Sequence, residues 1–407
     1  MDLQITPKKL SGAVAPPPSK SQAHRLLIAA ALSGGVSVLH GLADSQDIQA
    51  TRRCLSALGA GMEDLPDGGL RVHGLGNSAV QAGPIPILDC GESGSTLRFM
   101  IPIALAVAGG GIFTGRGRLM ERPQGPYFQL FDKKGIFYEQ KDGVLTVRGI
   151  LTPGEYVLPG NVSSQFFTGL LFALPLLDGV SAVVSSTEIE SREYITMTLE
   201  AMRQAGVPVA ERPGLRSFEV LHAAYQPFTA TAEADWSQAG FWYAADFLDS
   251  QVEIRGLDPD SAQGDKVVSE LYWKLARPGD AEIDVSGCPD LLPPLAVMAA
   301  VRSGTTRFTN AARLRIKESD RLSTTAALLA ALGGRAEEGP DFLTVHGGPL
   351  TGGTVDSAND HRIAMAAAIA ATGCTGPVTI RGAECVQKSY PDFWEVYRSL
   401  GGDIHVL

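Results

Sequence analysis

The stretch YFQLFDKKGIFYEQKDGVLTVRG, residues 127–149, joins a helix-like segment to two short alternating segments. Gly135 stands where the helix pattern stops, and a residue with positive φ commonly ends a helix at such a place. Asp142 and Gly143 then separate two β-like runs, as in a tight hairpin turn. The stretch therefore predicts a helix that leads into a β-hairpin.

The same pattern recurs along the chain at an interval of about 68 residues. Similar stretches surround Gly61, Gly206, Gly334 and Gly401, and a degenerate copy, SELYWKLARPGDAEIDV, lies near Tyr272. A chain of 407 residues has room for six such units, and an internal period of this kind indicates repeated supersecondary units. We expect an α/β architecture of six βαβ-rich repeats, in which each of these glycines ends a helix.

The overall charge limits the classes of partner. The formal net charge is −10 at pH 7, which argues against broad binding to nucleic acid or anionic membranes, because both need a basic face. The apolar run that begins at Ile101 is too short to span a membrane. The N-terminal sequence MDLQITPKKL lacks the apolar core of a signal peptide. We expect a soluble, cytoplasmic protein with neither a nucleic-acid nor a membrane partner.

Several common kinds of site are excluded by the sequence. There is no Gly-Lys dipeptide and hence no Walker A loop, and no HExxH or EF-hand motif occurs. The cysteines form no CxxC pair; they are Cys54, Cys90, Cys288, Cys374 and Cys385. An odd, dispersed set of cysteines indicates reduced thiols rather than disulfides or a zinc site.

Cations cluster where helix-like segments begin. The helix N-terminus is the positive end of the helix dipole, so basic residues there are mildly unfavourable unless an anion binds. The basic residues at these starts are Lys20 and Arg25, Arg98, Arg122, Lys317 and Arg321, and His361 and Arg362. Several helix starts with free N–H groups and added cations would suit phosphates or carboxylates.

Each motif also has an ordinary structural interpretation. Residues 20–25 (KSQAHR) could form an exposed basic helix start, residues 317–321 (KESDR) a ladder of charges, and residues 359–362 (NDHR) an Asx cap. The turn GESGST is of a common type, and residues 163–165 (SSQ) could simply cap a helix. The same electrostatic signal in different repeats of one chain nevertheless favours anion binding.

Two carboxylates complete the candidate site. Asp290 precedes the apolar run LLPPLAVMAA, where it could also be a helix N-cap. Glu318 lies between Lys317 and Arg321, which should keep it ionised. With His361 and the cations, and with no metal ligands, this set suits acid–base chemistry on polyanionic substrates.

The ordered motifs KSxxxR, SGSTLR, ERP, SSQ, SREY, CPD, RIKESDR, NDHR and QKSYPDF resemble those of the EPSP synthase family, the 3-phosphoshikimate 1-carboxyvinyltransferases. They cover the chain from Lys20 to Phe393 in the family's order. The resemblance implies a two-domain, inside-out α/β barrel of six βαβαββ-type repeats, three per domain. It also implies an inserted domain of residues 19–232, a discontinuous domain of residues 1–18 plus 233–407, and an active site in the cleft between them.

The resemblance implies that the chain transfers the enolpyruvyl group of phosphoenolpyruvate to the 5-hydroxyl of shikimate 3-phosphate. The implied reaction proceeds by addition and elimination through a tetrahedral intermediate and releases phosphate. It belongs to aromatic amino-acid biosynthesis. We therefore expect a monomer that needs no metal or cofactor. Its expected partners are these two small molecules.

The resemblance also assigns the site residues. Those implied to contact shikimate 3-phosphate are Lys20, Ser21, Arg25, Ser163, Ser164, Gln165, Ser191, Tyr194, Asp290 and Lys317. Those implied to contact phosphoenolpyruvate are Lys20, Gly94, Arg122, Gln165, Arg321, Arg362 and Lys388. Asp290 is implied as base for the 5-hydroxyl and Glu318 as proton donor to the methylene carbon. Lys20 and His361 would stabilise the departing phosphate.

Two positions depart from the family pattern. The turn before Gly94 reads Gly-Glu-Ser where many relatives have Gly-Asn-Ala, so Glu92 either points away from the ligand or pairs with Arg98. Arg313 stands where some relatives carry asparagine, and it either adds a hydrogen bond or is exposed. Sensitivity to glyphosate, which occupies the phosphoenolpyruvate site in this family, stays open.

Other functions stay open on the sequence alone. A sister family transfers enolpyruvate to UDP-N-acetylglucosamine, but it carries a cysteine in the loop before its Arg-Pro motif. Here that loop, GRGRLMERPQG, has no cysteine. A sensor of phosphorylated metabolites would need the cations but not both Asp290 and Glu318, and a structural scaffold would need neither.

Overall fold

The structure, a computed structural model, describes residues 1–76, 84–212 and 216–407. The chain divides into two compact units. The inserted unit comprises Pro18–Glu233, and the terminal unit comprises Met1–Pro17 together with Ala234–Leu407.

Helices and strands alternate throughout both units. The helices, in chain order, are α1 (Lys20–Leu32), α2 (Gln46–Ala57), α3 (Gly94–Ala108), α4 (Gly125–Lys134), α5 (Gln165–Ala173), α6 (Arg192–Gln204), α7 (Trp236–Phe247), α8 (Val268–Ala276), α9 (Leu292–Val301), α10 (Arg321–Ala331), α11 (His361–Ala371) and α12 (Phe393–Ser399). The strands, in chain order, are β1 (Leu3–Thr6), β2 (Ser11–Val14), β3 (Val36–His40), β4 (Gly61–Asp64), β5 (Leu70–His73), β6 (Ile87–Asp89), β7 (Gly110–Thr114), β8 (Phe137–Lys141), β9 (Val144–Arg148), β10 (Glu155–Leu158), β11 (Val180–Ser185), β12 (Val209–Arg212), β13 (Ser217–Leu221), β14 (Thr229–Thr231), β15 (Gln251–Ile254), β16 (Ala281–Asp284), β17 (Thr305–Thr309), β18 (Arg335–Glu338), β19 (Leu343–His346), β20 (Gly353–Asp356), β21 (Val378–Arg381) and β22 (Asp403–Val406). No helix in the described ranges is both long and apolar enough to cross a membrane.

The sheets repeat one topology. The inserted unit has the sheets β14-β3-β5-β4, β6-β7-β9-β8 and β10-β11-β13-β12, and the terminal unit has β16-β17-β19-β18 and β20-β21-β1-β22. In each sheet the first two strands are parallel and the other pairs are antiparallel. In the sheets that begin with β6, β10 and β16, the parallel pair is joined by a helix and followed by a hairpin, which is the βαβαββ unit that the resemblance implies.

The hairpin predicted from the opening stretch forms between β8 and β9. Lys141 pairs with Val144, so Asp142 and Gly143 are the two loop residues. Their φ angles are 50° and 74°, and a type I′ turn requires positive φ at both positions. The helix before the hairpin, α4, ends at Gly135 with φ of 66°, which confirms the predicted stop.

Two other predicted helix stops are wrong by one or two residues. In the copy around Gly61 the residue with positive φ is Gly59 (108°), and in the copy around Gly334 it is Gly333 (83°). Gly61 is instead the first residue of β4, where it pairs with His73. Both copies contain a second nearby glycine, and the helix ends at the first one that can adopt the left-handed conformation.

Of the remaining copies, two end at the predicted glycine and one does not. Gly206 and Gly401 have φ of 77° and 91°, as predicted. In the degenerate copy near Tyr272, α8 runs directly into β16, the first strand of the next sheet. This repeat therefore lacks a hairpin of its own, and its sheet is the parallel pair of β15 and β2.

The first helix of each repeat is buried on nearly all sides. All residues of α11 are buried, and α9 is buried from Leu292 to Ala300. α7, α9 and α11 contact one another in the terminal unit, as α3 and α5 do in the inserted unit. A helix that is apolar all round must be covered all round, so the helices lie inside and the sheets outside. This is the inside-out arrangement implied by the resemblance.

Candidate active site

Arg25, on α1, is a cation buried among neutral groups, with 2% of its surface exposed. It donates to the Ser21 carbonyl at 2.6 Å, to the Tyr194 carbonyl at 2.9 Å, and to the hydroxyls of Thr198 at 2.9 Å and Thr168 at 3.4 Å. Among the described residues it contacts no carboxylate. Burial lowers the pKa of Arg25 to about 10, since a buried charge without a counter-charge is costly. An anionic ligand would supply the missing charge.

Lys20, the first residue of α1, forms an ion pair with Asp47 of α2. Its Nζ lies 2.7 Å from Asp47 Oδ2, and both side chains are largely shielded from solvent. Asp47 was not recognised in the sequence because it lies in the first turn of a helix capped by Ser45, an ordinary place for an acidic residue. The ion pair fixes the ammonium group at the helix start.

The first turn of α3 lies against Arg122. A Cβ built on Gly94 would come within 2.4 Å of Arg122 Nη1, so the guanidinium covers the glycine. Gln165, at the start of α5, donates to Ser95 Oγ at 2.9 Å and accepts from Arg98 Nη1 at 2.8 Å. Three residues predicted to bind phosphoenolpyruvate therefore lie around one helix start.

The predicted hydroxyl ligands also lie where helices begin. Ser163 Oγ accepts from the backbone N–H of Gln165 at 3.3 Å, and Ser164 is the N-cap residue of α5. Ser191 precedes α6 with φ of 52°. This left-handed conformation is uncommon for a residue other than glycine and clusters at functional sites. Tyr194 lies in the first turn of the same helix.

One arginine of the terminal unit holds both candidate carboxylates. Arg321, the first residue of α10, donates from Nη1 to Asp290 Oδ1 at 2.7 Å and from Nη2 to Glu318 Oε2 at 2.6 Å. It also donates from Nε and Nη2 to Asp360, at 2.8 and 3.3 Å. Burial alone would lower the pKa of Arg321, but Asp360, Glu318 and Asp290 together raise it.

Asp290 accepts hydrogen bonds from several cations. It lies in the short 3-10 helix Pro289–Leu291, and besides Arg321 it binds Arg362 Nη2 at 3.0 Å and Lys317 Nζ at 3.4 Å. Burial acts to raise its pKa, but the three cations hold that pKa well below its ordinary value. The alternative of a simple helix N-cap is wrong, because other residues cap this helix and α9.

Lys317 lies before α10 rather than in its first turn. The helix begins at Arg321 because Asp320 caps it, accepting from the Ser323 N–H at 3.2 Å. Lys317 follows the 3-10 helix Ala312–Ile316. Of the two cations predicted at this helix start, Arg321 is the first helical residue and Lys317 precedes the helix, and both reach Asp290. Burial lowers the pKa of Lys317, and Asp290 partly offsets this.

His361 and Lys388 are buried beside the same groups. His361 Nδ1 lies 3.9 Å from Asp360 Oδ1, and Lys388 Nζ donates to the Asn359 carbonyl at 2.6 Å. The terminal unit thus gathers all of its predicted site residues into one cluster, here called the Arg321 cluster: Asp290, Lys317, Glu318, Arg321, His361, Arg362 and Lys388.

Two buried carboxylates of this region were missed by the sequence analysis. Asp360 was considered only as a cap; it does cap α11, accepting from the Arg362 N–H at 3.0 Å, but it also binds Arg321. Asp265 is buried and accepts a hydrogen bond from the Ser237 hydroxyl. Burial and repulsion from Asp290 raise the pKa of Asp265 to about 7. No local pattern distinguishes Asp265 from an exposed acid, because its partners come from distant segments.

The two positions that depart from the family pattern have definite surroundings. Glu92 lies beside Gly117, where an added Cβ would come within 2.7 Å of Glu92 Oε2. Arg313 is half-buried and donates from Nη2 to the Ser286 carbonyl. Arg313 is therefore not an exposed side chain, and this hydrogen bond goes to the protein backbone.

The assembled side chains are suited to binding anions and to exchanging protons. In the described ranges, no group of three or more His, Cys, Asp and Glu side chains could hold a metal ion. Arginine and lysine side chains can bind phosphate and carboxylate groups. Asp290 and Glu318 can exchange protons with a ligand, and Arg321 couples the two because it binds both.

Comparison with known proteins adds independent findings. The family described as EPSP synthase (3-phosphoshikimate 1-carboxyvinyltransferase) matches residues 5–397. Proteins named 3-phosphoshikimate 1-carboxyvinyltransferase from Clostridium kluyveri and Clostridium novyi are 43% and 42% identical to this chain, and each comparison covers 99% of this chain and 98% of the relative.

Solved structures share the fold. An EPSP synthase from Acinetobacter baumannii has a TM-score of 0.80 at 23% identity, with all of both chains covered. The enolpyruvyl transferase NikO from Streptomyces tendae has a TM-score of 0.77 at 18% identity, with 99% of this chain and 98% of that chain covered.

Proposed function

The chain belongs to the EPSP synthase family, and we propose that the residues described above form its active site. As a 3-phosphoshikimate 1-carboxyvinyltransferase, the protein transfers the enolpyruvyl group of phosphoenolpyruvate to the 5-hydroxyl of shikimate 3-phosphate and releases phosphate. The proposal concerns the side chains that bind each substrate and move each proton.

The observation that carries the proposal is that Arg321 binds Asp290 and Glu318 at once. The reaction needs one group to accept the hydroxyl proton and another to deliver a proton to the methylene carbon. One guanidinium keeps two such groups together where an anionic substrate can compete for it.

With these contacts Asp290 is a weak base, because Arg362, Lys317 and Arg321 hold its pKa low. We propose that phosphoenolpyruvate draws Arg321 and Arg362 onto its carboxylate and phosphate groups. Asp290 would then face fewer cations, and its pKa would rise. The base would become effective only when the enolpyruvyl donor is bound, which would limit unproductive chemistry.

The proton transfers balance over the two steps. In the addition, the 5-hydroxyl oxygen bonds to C2 of phosphoenolpyruvate and Asp290 takes the hydroxyl proton. Glu318, which takes up a proton from solvent once phosphoenolpyruvate has drawn Arg321 away, delivers that proton to C3. In the elimination, C3 returns a proton to Glu318 and the C2–phosphate bond breaks. Lys20 and His361 stabilise the charge on the departing phosphate. The proton on Asp290 then passes to phosphate or solvent.

Binding of shikimate 3-phosphate is proposed at one set of side chains: Lys20, Ser21, Arg25, Ser163, Ser164, Gln165, Ser191, Tyr194, Asp290 and Lys317. Phosphoenolpyruvate is proposed to bind a second set: Lys20, Gly94, Arg122, Gln165, Arg321, Arg362 and Lys388. The lack of a carboxylate among the contacts of Arg25 supports a role in binding the first substrate. We propose a cytoplasmic monomer.

The experiment is phosphate release from phosphoenolpyruvate, with shikimate 3-phosphate or UDP-N-acetylglucosamine as the acceptor. Release only with shikimate 3-phosphate, lowered at least about 100-fold by Asp290→Asn and by Glu318→Gln, is expected. Exposed acids of the same unit provide matched controls, Asp356→Asn and Glu337→Gln, which should keep the full rate.

Release of phosphate only with UDP-N-acetylglucosamine would refute shikimate 3-phosphate as the acceptor. Full activity in Asp290→Asn or Glu318→Gln would refute the assigned roles while leaving the reaction itself in place. The two parts of the proposal thus fail in distinguishable ways.

A further inference from the structure

A buried chain of hydrogen bonds joins α1 and α2 to the first turn of α3. His24 Nδ1 lies 2.7 Å from Thr51 Oγ1, which lies 2.7 Å from Thr96 Oγ1. Thr96 Oγ1 lies 2.8 Å from Ser93 Oγ, and Ser93 is the N-cap residue of α3. None of the four residues is more than 1% exposed, so water does not compete for these bonds.

The direction of donation along the chain follows from its acceptors. Thr96 Oγ1 donates to Ser93 Oγ, and the Asp47 carbonyl, which can only accept, lies 3.5 Å from the same hydroxyl. A threonine hydroxyl has one proton, so Thr96 must accept the bond that it shares with Thr51. The proton of Thr51 is then used, and His24 must donate from Nδ1.

The surroundings of His24 fit this direction. Within the described part of the chain, the buried Nε2 atom has no hydrogen-bond partner, and a proton there would be an unsatisfied donor. Burial, assisted by the charges of Lys20 and Arg25, lowers the pKa of His24 well below its ordinary value. The ring is therefore neutral, with its single proton on Nδ1.

This direction of donation leaves the hydroxyl proton of Ser93 available to a ligand. Ser93 Oγ accepts from both the backbone N–H and the hydroxyl of Thr96, at 3.2 and 2.8 Å. Among the described residues Ser93 donates no hydrogen bond in return. The next residue is Gly94, which lies against the Arg122 guanidinium, where the phosphoenolpyruvate site is proposed.

We propose that His24 is a positioning residue which, through Thr51 and Thr96, holds the Ser93 hydroxyl as a donor to the phosphoenolpyruvate anion. The inference rests on the proposed function and adds Ser93 to its binding residues. Each hydroxyl in this series of hydrogen bonds accepts from the previous residue and donates to the next. Because His24 Nδ1 donates at one end, the Ser93 hydroxyl is left as a donor at the other end. Thr96 Oγ1 also lies 3.5 Å from the carbonyl oxygen of Asp47, and the carboxylate of Asp47 holds Lys20.

The kinetic test replaces the middle of the chain. Thr51→Val keeps the shape of the side chain but removes the hydroxyl, whereas Thr51→Ser keeps the hydroxyl. We expect Thr51→Val to raise the KM for phosphoenolpyruvate about fivefold, the effect of one hydrogen bond. The kcat and the KM for shikimate 3-phosphate should change less than about twofold. Ser93→Ala should raise the same KM at least as much, and Thr51→Ser should restore it.

A buried threonine of the terminal unit serves as the matched control. Thr306 accepts from Arg302 at 3.1 Å, and Thr306→Val should leave both KM values unchanged. An unchanged KM for phosphoenolpyruvate in Thr51→Val would overturn the inference. So would an equal rise of both KM values that Thr51→Ser fails to reverse, because this would indicate a general loss of structure.

The tautomer of His24 gives a second test that needs no activity. Nitrogen-15 NMR of the imidazole, assigned by its loss in His24→Asn, should show a neutral ring protonated at Nδ1. A neutral ring protonated at Nε2 would overturn the inference. If the unsubstituted protein released no phosphate with shikimate 3-phosphate, the proposed function would fail, but the tautomer would still decide the direction of the chain.

Discussion

The Nε atom of Arg321 donates to Asp360 Oδ2 at 2.8 Å, and both side chains are buried, with 1% and 0% exposed. The same carboxylate caps α11 by accepting from the backbone N–H of Arg362 at 3.0 Å. One buried acid therefore fixes two cations, one directly and the other through the start of its helix. The position of Asp360 sets the geometry of the whole Arg321 cluster.

Asp360→Asn isolates the charge of this acid, because asparagine is also a good N-cap. Arg321 would keep hydrogen-bond partners but lose a buried counter-charge, so we expect about 3 kcal/mol less stability in urea unfolding. We also expect kcat/KM to fall at least about 100-fold, since an unbalanced Arg321 would bind Asp290 and Glu318 more tightly. The exposed Asp356→Asn is the control. A loss of activity below about threefold would contradict this account.

Arg25→Gln removes a buried cation that has no carboxylate among its described contacts. We expect the KM for shikimate 3-phosphate to rise about 100-fold, the effect of a lost charge-assisted contact. Addition of shikimate 3-phosphate should no longer raise the unfolding temperature. Arg302 is a matched control, because it is also buried and donates to the carbonyls of Leu275 and Gly279 at 2.7 Å. If Arg302→Gln changed this KM equally, the binding role of Arg25 would be refuted.

Gly94→Ala places a methyl group 2.4 Å from Arg122 Nη1 and 2.7 Å from its Cζ, so the guanidinium must move. We expect the KM for phosphoenolpyruvate to rise at least about tenfold, and the KM for shikimate 3-phosphate to stay within about twofold. Gly125→Ala is the matched control, because a Cβ there meets nothing within 4 Å. Equal effects on both KM values would show that the change is not local to the phosphoenolpyruvate site.

Asp265→Asn tests the pKa of about 7 that burial and Asp290 give this carboxyl. Between pH of about 4 and 7 the folded protein keeps a proton on Asp265 that the unfolded chain has released. Stability should therefore fall as pH rises through this window, and the variant should lack this contribution. In urea unfolding we expect equal stability of the two proteins near pH 4 and an advantage of about 4 kcal/mol for the variant at pH 8. The exposed Asp260→Asn should show no such trend, and a variant less stable than the parent at pH 8 would contradict the assignment.

The sequence predicted those features that depend on neighbouring residues. Asp142 and Gly143 specify a turn by their own conformational preferences, and the helix start at Lys20 follows from proline punctuation and an apolar run. The error at Gly61 has the same origin, because two glycines two residues apart offer one helix two places to end. Local chemistry also predicted that Glu318 and Arg321 would meet, since they are three residues apart.

Pairings between distant segments were not predictable in this way. Asp47 lies 27 residues from Lys20, and Asp360 lies 39 residues from Arg321. Each of these acids stands at an ordinary helix start, so nothing local marks it as the partner of a buried cation. The chain from His24 to Ser93 is of the same kind, because its members are brought together only when three helices pack.

The first strand of the chain has a consequence for biosynthesis. β1 pairs with β21 and β22, so Leu3 lies opposite both Ile380 and Val406. Strand β21 begins at Val378, far along the chain from β1, whereas the inserted unit has all of its strands by Glu233. The inserted unit can therefore fold during translation, while β1 waits with both edges unpaired, a state prone to aggregation. The terminal unit must therefore close late, and β1 needs protection until β21 and β22 have been made.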